Sequence, residues 1–189
     1  MINKLYNLLD TELPSRKENK TLSNLRQSFF DRLESMKNKA TAEKLQDCLE
    51  IIDDILDPAL SFPNLIIRLN KYGDIVLELI SFKAATDLLL KTYKIDYKLW
   101  SGEKQAEALE NTAKIQMEKS GATGATVSRS EKNLDLALSR LHKNEFTFYE
   151  LTLSYLETIS KLLDDIINLV NQNNYNSIHL SKMLSKEEG

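Results

Sequence analysis

Few residues in this chain have the types and spacing that chemistry demands. The two histidines, His142 and His179, lie far apart, and neither has a second ligand four residues along, as a helical metal pair requires. Neither an HExxH motif nor an EF-hand loop occurs. Asp53-Asp54 and Asp164-Asp165 are adjacent pairs, but neighbours on a helix point about 100° apart, so neither pair converges on one ion. They read as solvated faces. No Ser/His/Asp or Cys/His arrangement has the context that a nucleophile needs. Cys48 is the one cysteine and falls in the apolar pattern Leu45, Cys48, Leu49, Ile52, the pattern of a buried structural thiol. One cysteine excludes an internal disulfide and a CxxC zinc site. The expectation is a protein with no catalytic residue, no metal and no cofactor, and so not an enzyme.

Two stretches remain. GATGATVS, residues 121–128, puts glycines before a helix start, where free N–H groups can hold phosphate. It lacks the lysine of a P-loop and follows no strand, so it reads as a hairpin between helices. The second, LLLKTYKIDYKLWSG, spans residues 88–102. On a helix, Tyr93, Tyr97 and Trp100 share one face, and Lys91, Lys94 and Lys98 share another about 120° around. One reading is a packed aromatic seam with lysines snorkelling at its edge. The other is a strip for single-stranded nucleic acid, with Lys91, Lys94 and Lys98 following phosphates and Trp100 stacking on bases. The region 91–104 holds four lysines against Asp96 and Glu103, in a chain whose net charge is −3. A near-balanced total argues against a protein coated in basic charge for duplex DNA, while leaving room for a local patch.

The elements that must position these residues are helices. Gly (5) and Pro (3) are scarce among 189 residues, whereas an all-β fold needs many turns. Hydrophobic content of 42% with 28% charged residues marks a globular chain rather than a disordered one. The start has no basic-then-apolar signal pattern, and no apolar run approaches the roughly 20 residues that span a bilayer. A cytoplasmic protein is expected, with no membrane partner. The chain begins with a short amphipathic helix over 2–9 and a polar linker over 11–20. Thr21 can cap a helix with Leu22, Leu25, Phe29, Leu33 and Met36 on one face. Thr41 can cap a third, ending near Leu56, and Pro58 and Pro63 bracket a break. A seam of Leu65, Leu69, Tyr72, Val76 and Leu79 resumes at Leu90, Tyr93, Tyr97 and Trp100. Lys83 and Thr86 interrupt it, and Gly73 weakens the helix by roughly 1 kcal/mol. The helix over 64–100 is predicted to stop at Ser101-Gly102. A polar helix over 103–119 follows, with Leu109, Ile115 and Met117 as its few anchors.

Ser128-Arg129-Ser130-Glu131 is a capping box, and the helix behind it is predicted to run to Val170. Two adjacent seams lie on that helix. Phe148, Leu153, Leu156, Ile159, Leu163, Ile166 and Val170 form the face expected to pack and to oligomerise, because two seams imply more neighbours than one helix supplies. NQNNYNS is predicted to end the helix, and Ser177 to cap a short last one. The fold expected is all-α: an elongated antiparallel hairpin, 64–100 against 129–170, with N-terminal helices packed on it. The division expected is an N-terminal helical section with linker over 1–60, and over 61–189 the hairpin with its polar connecting helix and short C-terminal helix.

LLLKTYKIDYKLWSG, then SRSEKNLDLALSRLHKNEFTFYELTLSYLETISKLLDDIINL, then NSIHLSKML resemble in their order the UvsY-like phage recombination mediators. The resemblance covers about residues 75–184. It implies a small helical protein of a phage-infected or bacterial cell that forms homo-oligomers, binds single-stranded DNA and loads a partner recombinase. By analogy Lys91, Lys94 and Lys98 would carry the DNA contacts, and 146–170 would pack and oligomerise. The chain departs from the pattern in its helical section 1–60, its acidic balance, and Asp87 and Asp96 on the basic face. The alternative is a structural or protein-interaction subunit, a phage or bacterial helical assembly or adaptor protein, with no nucleic-acid role.

Overall fold

Apolar residues that recur every three or four positions over dozens of residues can be buried only by laying one helix along another. The computed structural model does this. It describes residues 2–9, 11–12, 20–37, 62–121 and 131–187, and 97% of these are helical, with no strand among them. Five helices are described: α1 (Ile2–Leu9), α2 (Lys20–Lys37), α3 (Phe62–Ser120), α4 (Glu131–Leu141) and α5 (Lys143–Glu187). The all-α fold with an antiparallel hairpin at its centre is therefore what the chain forms. The expected helix over 41–56, Cys48, and most of GATGATVS and its capping box lie outside the described residues.

The hairpin is α3 against α5, continued by α3 against α4. Its direction follows from the pairs that cross it. Lys83 meets Asp164, Asp87 meets Ser160, Lys94 meets Glu157, and Trp100 meets His142, so one number falls as the other rises. Between the helices lie Leu79, Leu89, Tyr93, Leu156, Ile159, Leu163 and Ile166, all essentially solvent-free. The N-terminal helices cover what this pair leaves open. α2 packs on α3, with Phe29 stacked on Phe82 at 5.8 Å and Arg32 Nη1 donating to Ser81 Oγ at 2.6 Å. α1 lies along α5, where Lys4 and Leu8 border a cleft with Thr158, Leu162 and Asp165. The second seam of α5 thus has intrachain neighbours.

The helix ends differ from the sequence reading in three places. Gly102 does not stop α3. The turns on either side are anchored, Trp100 by Tyr149 and His142 and Ala108 by complete burial, and this packing outweighs a glycine's cost of about 1 kcal/mol. The true stop is Gly121, whose φ of 65° suits only a residue without Cβ, and whose N–H donates to the Met117 carbonyl at 2.9 Å. The polar run NQNNYNS does not end α5 either. Asn173 and Ser177 continue the buried seam three and seven residues beyond Val170, so tertiary packing overrides their weak helix preference. The helix over 129–170 is instead interrupted at His142. The backbone bonds His142 N to Leu138 O and Phe146 N to His142 O persist at 2.8 and 2.9 Å, so this is a bend rather than a loop. It falls where the seam passes from Leu138 to Phe146 through a histidine.

Leu156 is fully buried and Leu151, five residues earlier, is 52% exposed. Leu156→Ala is expected to lower stability by about 2–5 kcal/mol, and Leu151→Ala by under about 0.5 kcal/mol. Urea melts followed by circular dichroism check this, and equal effects would mean that α5 is rotated from the orientation described.

Candidate interaction surface

Burial bears on the two readings of the lysine–aromatic stretch. Tyr93 and Trp100 are 1% and 7% exposed, and Tyr97 is half-buried. Trp100 therefore is not a surface ring available to stack on bases, which corrects that expectation. The reason is the partner that the hairpin brings. Tyr149 of α5 sits 5.2 Å from Trp100 and 5.3 Å from Tyr97 between ring centroids, with Phe146 6.5 Å from Tyr97 and His142 edge-on to Trp100 at 6.0 Å. Rings that meet at such offsets and tilts gain more than their buried area alone supplies. The hydroxyls are satisfied by acids at the edge: Tyr97 donates to Asp135 at 3.1 Å and Tyr149 to Asp96. Asp96, one of the two acids that interrupt the basic face, therefore serves the packing.

Lys91, Lys94 and Lys98 are all exposed on α3. Lys94 pairs with Glu157 at 2.7 Å, with both side chains about half exposed, and an ion pair so solvated contributes little. The packing residues Phe148, Leu156, Ile159, Leu163, Ile166 and Val170 are buried within the single chain, and Leu153 is half-buried against the same core.

The seam positions held by Lys83 and Thr86 are resolved by hydrogen bonding. Thr86 Oγ1 is fully buried and donates to the Phe82 carbonyl at 3.0 Å. Lys83 Nζ reaches Asp87 at 2.8 Å, Asp164 at 3.2 Å and Ser160 at 3.3 Å, while Ser160 donates to Asp87 at 2.6 Å. Burial is the strongest influence on Asp87 and pushes its carboxyl up. The hydrogen bonds from Lys83 and Ser160 and the charges of Lys83 and Lys91 together outweigh it and hold the group below the ordinary carboxylate range. Lys83 is raised, chiefly by its bond to Asp87 and against desolvation.

Attention to the aromatic seam hides a second stripe on the opposite side of α3. Leu77, Leu88, Ile95 and Leu99 are 68%, 52%, 60% and 63% exposed. They are separated by eleven, seven and four residues, which keeps them on one side of a helix of 3.6 residues per turn. Ala84, Gly102 and Ala106 are exposed along the same line. Lys91 and Lys98 flank the stripe on one side, and Asp96, Glu103 and Glu110 on the other. The signal was present in the sequence as a 4-3-4-3 spacing from Leu88 onward. It shares the stretch with the larger Tyr and Trp side chains, and spacing alone does not say which of two stripes a partner covers. Among the described residues, no group of His, Cys, Asp and Glu is arranged to hold a metal ion, and no helix is long and apolar enough to cross a membrane.

A carboxyl held below its unfolded value stabilises the fold above that value, and the contribution is lost as pH falls through the folded one. Asp87→Asn is therefore expected to be less stable than the parent chain at neutral pH, with the gap closing below about pH 4. Urea melts at pH 7 and pH 3 check it, and a gap that persists unchanged at pH 3 would detach Asp87 from Lys83. Trp100 is the one tryptophan, so its emission reports this cluster alone. Blue-shifted emission that acrylamide quenches weakly is expected, unchanged by added single-stranded DNA. Emission typical of an indole in water would contradict the buried ring.

No protein-family model, no curated protein and no solved structure matches this chain.

Proposed function

We propose that this chain is a non-enzymatic helical protein that works by presenting the outer face of α3 to another macromolecule. The observation that carries this reading is the row Leu88, Ile95 and Leu99, each more than half exposed on a helix whose other face is already buried. Single exposed leucines are ordinary on a protein surface, but a contiguous row marks a place of contact. A helix that is apolar on two opposite sides has its affinity for neighbours half used by the hairpin. The reading belongs to the structural or protein-interaction class rather than to catalysis.

A second reading, the phage-type recombination mediator that binds single-stranded DNA, keeps one supporting observation. Lys91, Lys94 and Lys98 lie exposed within two turns of one helix, and such a row can follow a phosphate backbone electrostatically. The burial of Trp100 takes from it the stacking that single-strand binders use. The acid Asp96 lies in the same turns, and Glu103 just beyond them.

A photo-reactive phenylalanine analogue placed at Ile95 is expected to form covalent adducts in cells that make the protein. The same analogue at exposed Glu150 is expected to form none. Adducts to protein support the interaction reading, and adducts to nucleic acid transfer it to the mediator. No adduct at Ile95, or equal yields at both positions, would overturn the reading.

A further inference from the structure

The interaction reading leaves the occupant of the outer face unnamed, and the charges beside that face select one. From Leu88 the face follows a heptad. Leu88, Ile95, Gly102 and Leu109 recur every seven residues. Thr92, Leu99, Ala106 and Ala113 recur every seven residues between them, at alternating steps of four and three. Over residues 88–113 this makes more than three heptads and a line about 38 Å long, with Leu88, Ile95, Leu99, Gly102 and Ala106 exposed and the others half-buried. Alternating three- and four-residue spacing is the seam of a two-stranded coiled coil.

The flanks are of opposite charge. Lys91 and Lys98 hold one side in successive heptads, and Asp96, Glu103 and Glu110 hold the other. Two identical helices packed antiparallel through this seam would set the lysine flank against the lysine flank and the acidic flank against the acidic one. Packed parallel about a two-fold axis along the helices, each basic flank meets the other copy's acidic flank, and each pair occurs twice. The spacing fits that arrangement, because in parallel coiled coils a flanking residue reaches the partner's residue five positions onward. Lys98 thus reaches the partner's Glu103, and Lys91 the partner's Asp96, which also accepts from Tyr149 within its own chain.

The small residues agree. A Cβ at Gly102 would meet nothing within 4 Å among the described residues, so their packing does not require the glycine. A close second helix uses the space that Gly102, Ala106 and Ala113 leave. Among the described residues the face is clear of the other helices over this length, since α4 and α5 pack on the side that buries Tyr93, Trp100 and Ala108.

We propose that residues 88–113 of α3 pair with the same segment of a second copy, parallel and in register, to form a homodimer. This rests on the outer face of α3 being the working surface. Sedimentation velocity on the purified full-length chain is expected to show a dimer, and Ile95→Glu/Leu99→Glu a monomer of unchanged helix content. Lys98→Glu alone and Glu103→Lys alone are each expected to weaken the dimer about tenfold, since each reverses two pairs. The combined Lys98→Glu/Glu103→Lys exchange is expected to restore it. In a Cys48→Ser background, Leu99→Cys is expected to cross-link to its own counterpart on oxidation. A parent chain that stays monomeric, a dimer that survives Ile95→Glu/Leu99→Glu, an exchange as weak as its single variants, or a Leu99→Cys chain that does not cross-link would each overturn the parallel pairing. A monomer that still forms protein adducts from Ile95 would sink the pairing and leave the interaction reading standing. The absence of both would end both.

Discussion

The antiparallel contact between α3 and α5 is the constraint from which the remaining structure follows. Neither helix is stable by propensity alone: α3 carries Gly73 and Gly102 inside it, and α5 carries four asparagines and a glutamine in succession with Tyr175 near its end. Each persists because the other covers its seam. A purely aliphatic seam would tolerate sliding by a turn. Here Lys83 bridges Asp87 and Asp164 while Ser160 closes the same network, so one register satisfies every member. The aromatic cluster of Tyr97, Trp100 and Tyr149 fixes the other half of the hairpin by shape, and its hydroxyls are bonded to acids at its rim.

That constraint sorts the side chains of the lysine–aromatic stretch into roles. One face supplies the rings that the hairpin consumes. The opposite face supplies Leu88, Ile95 and Leu99, which the hairpin cannot reach because they point away from it. The lysines lie between, at the boundary of the exposed stripe rather than on a broad basic surface. In three dimensions the stretch is the junction of two apolar faces on one long helix, with its lysines exposed.

The helix ends show the same hierarchy of effects. Gly102 and the asparagine run are weak local signals, each opposed by buried neighbours, and the helix continues through both. Gly121 ends α3 because its left-handed backbone and the bond to Met117 close the last turn. At His142 the opposite occurs: a region of continuous apolar periodicity bends where the seam residue is polar.

By itself the sequence determined the helical class, the two long elements, their antiparallel pairing, and the short helix over 2–9, because periodicity of three and four is local and few glycines or prolines interrupt it. It also held the capacity of Tyr93, Tyr97 and Trp100 to line one face. Only the tertiary structure decided that this face is interior, since that depends on Tyr149 and His142 arriving from residues about fifty positions away. It likewise decided that Phe148 to Val170 is spent within the chain, and that Leu88, Ile95 and Leu99 remain uncovered. A helix with two apolar stripes announces both in its spacing, and only the position of its neighbours tells which one is left.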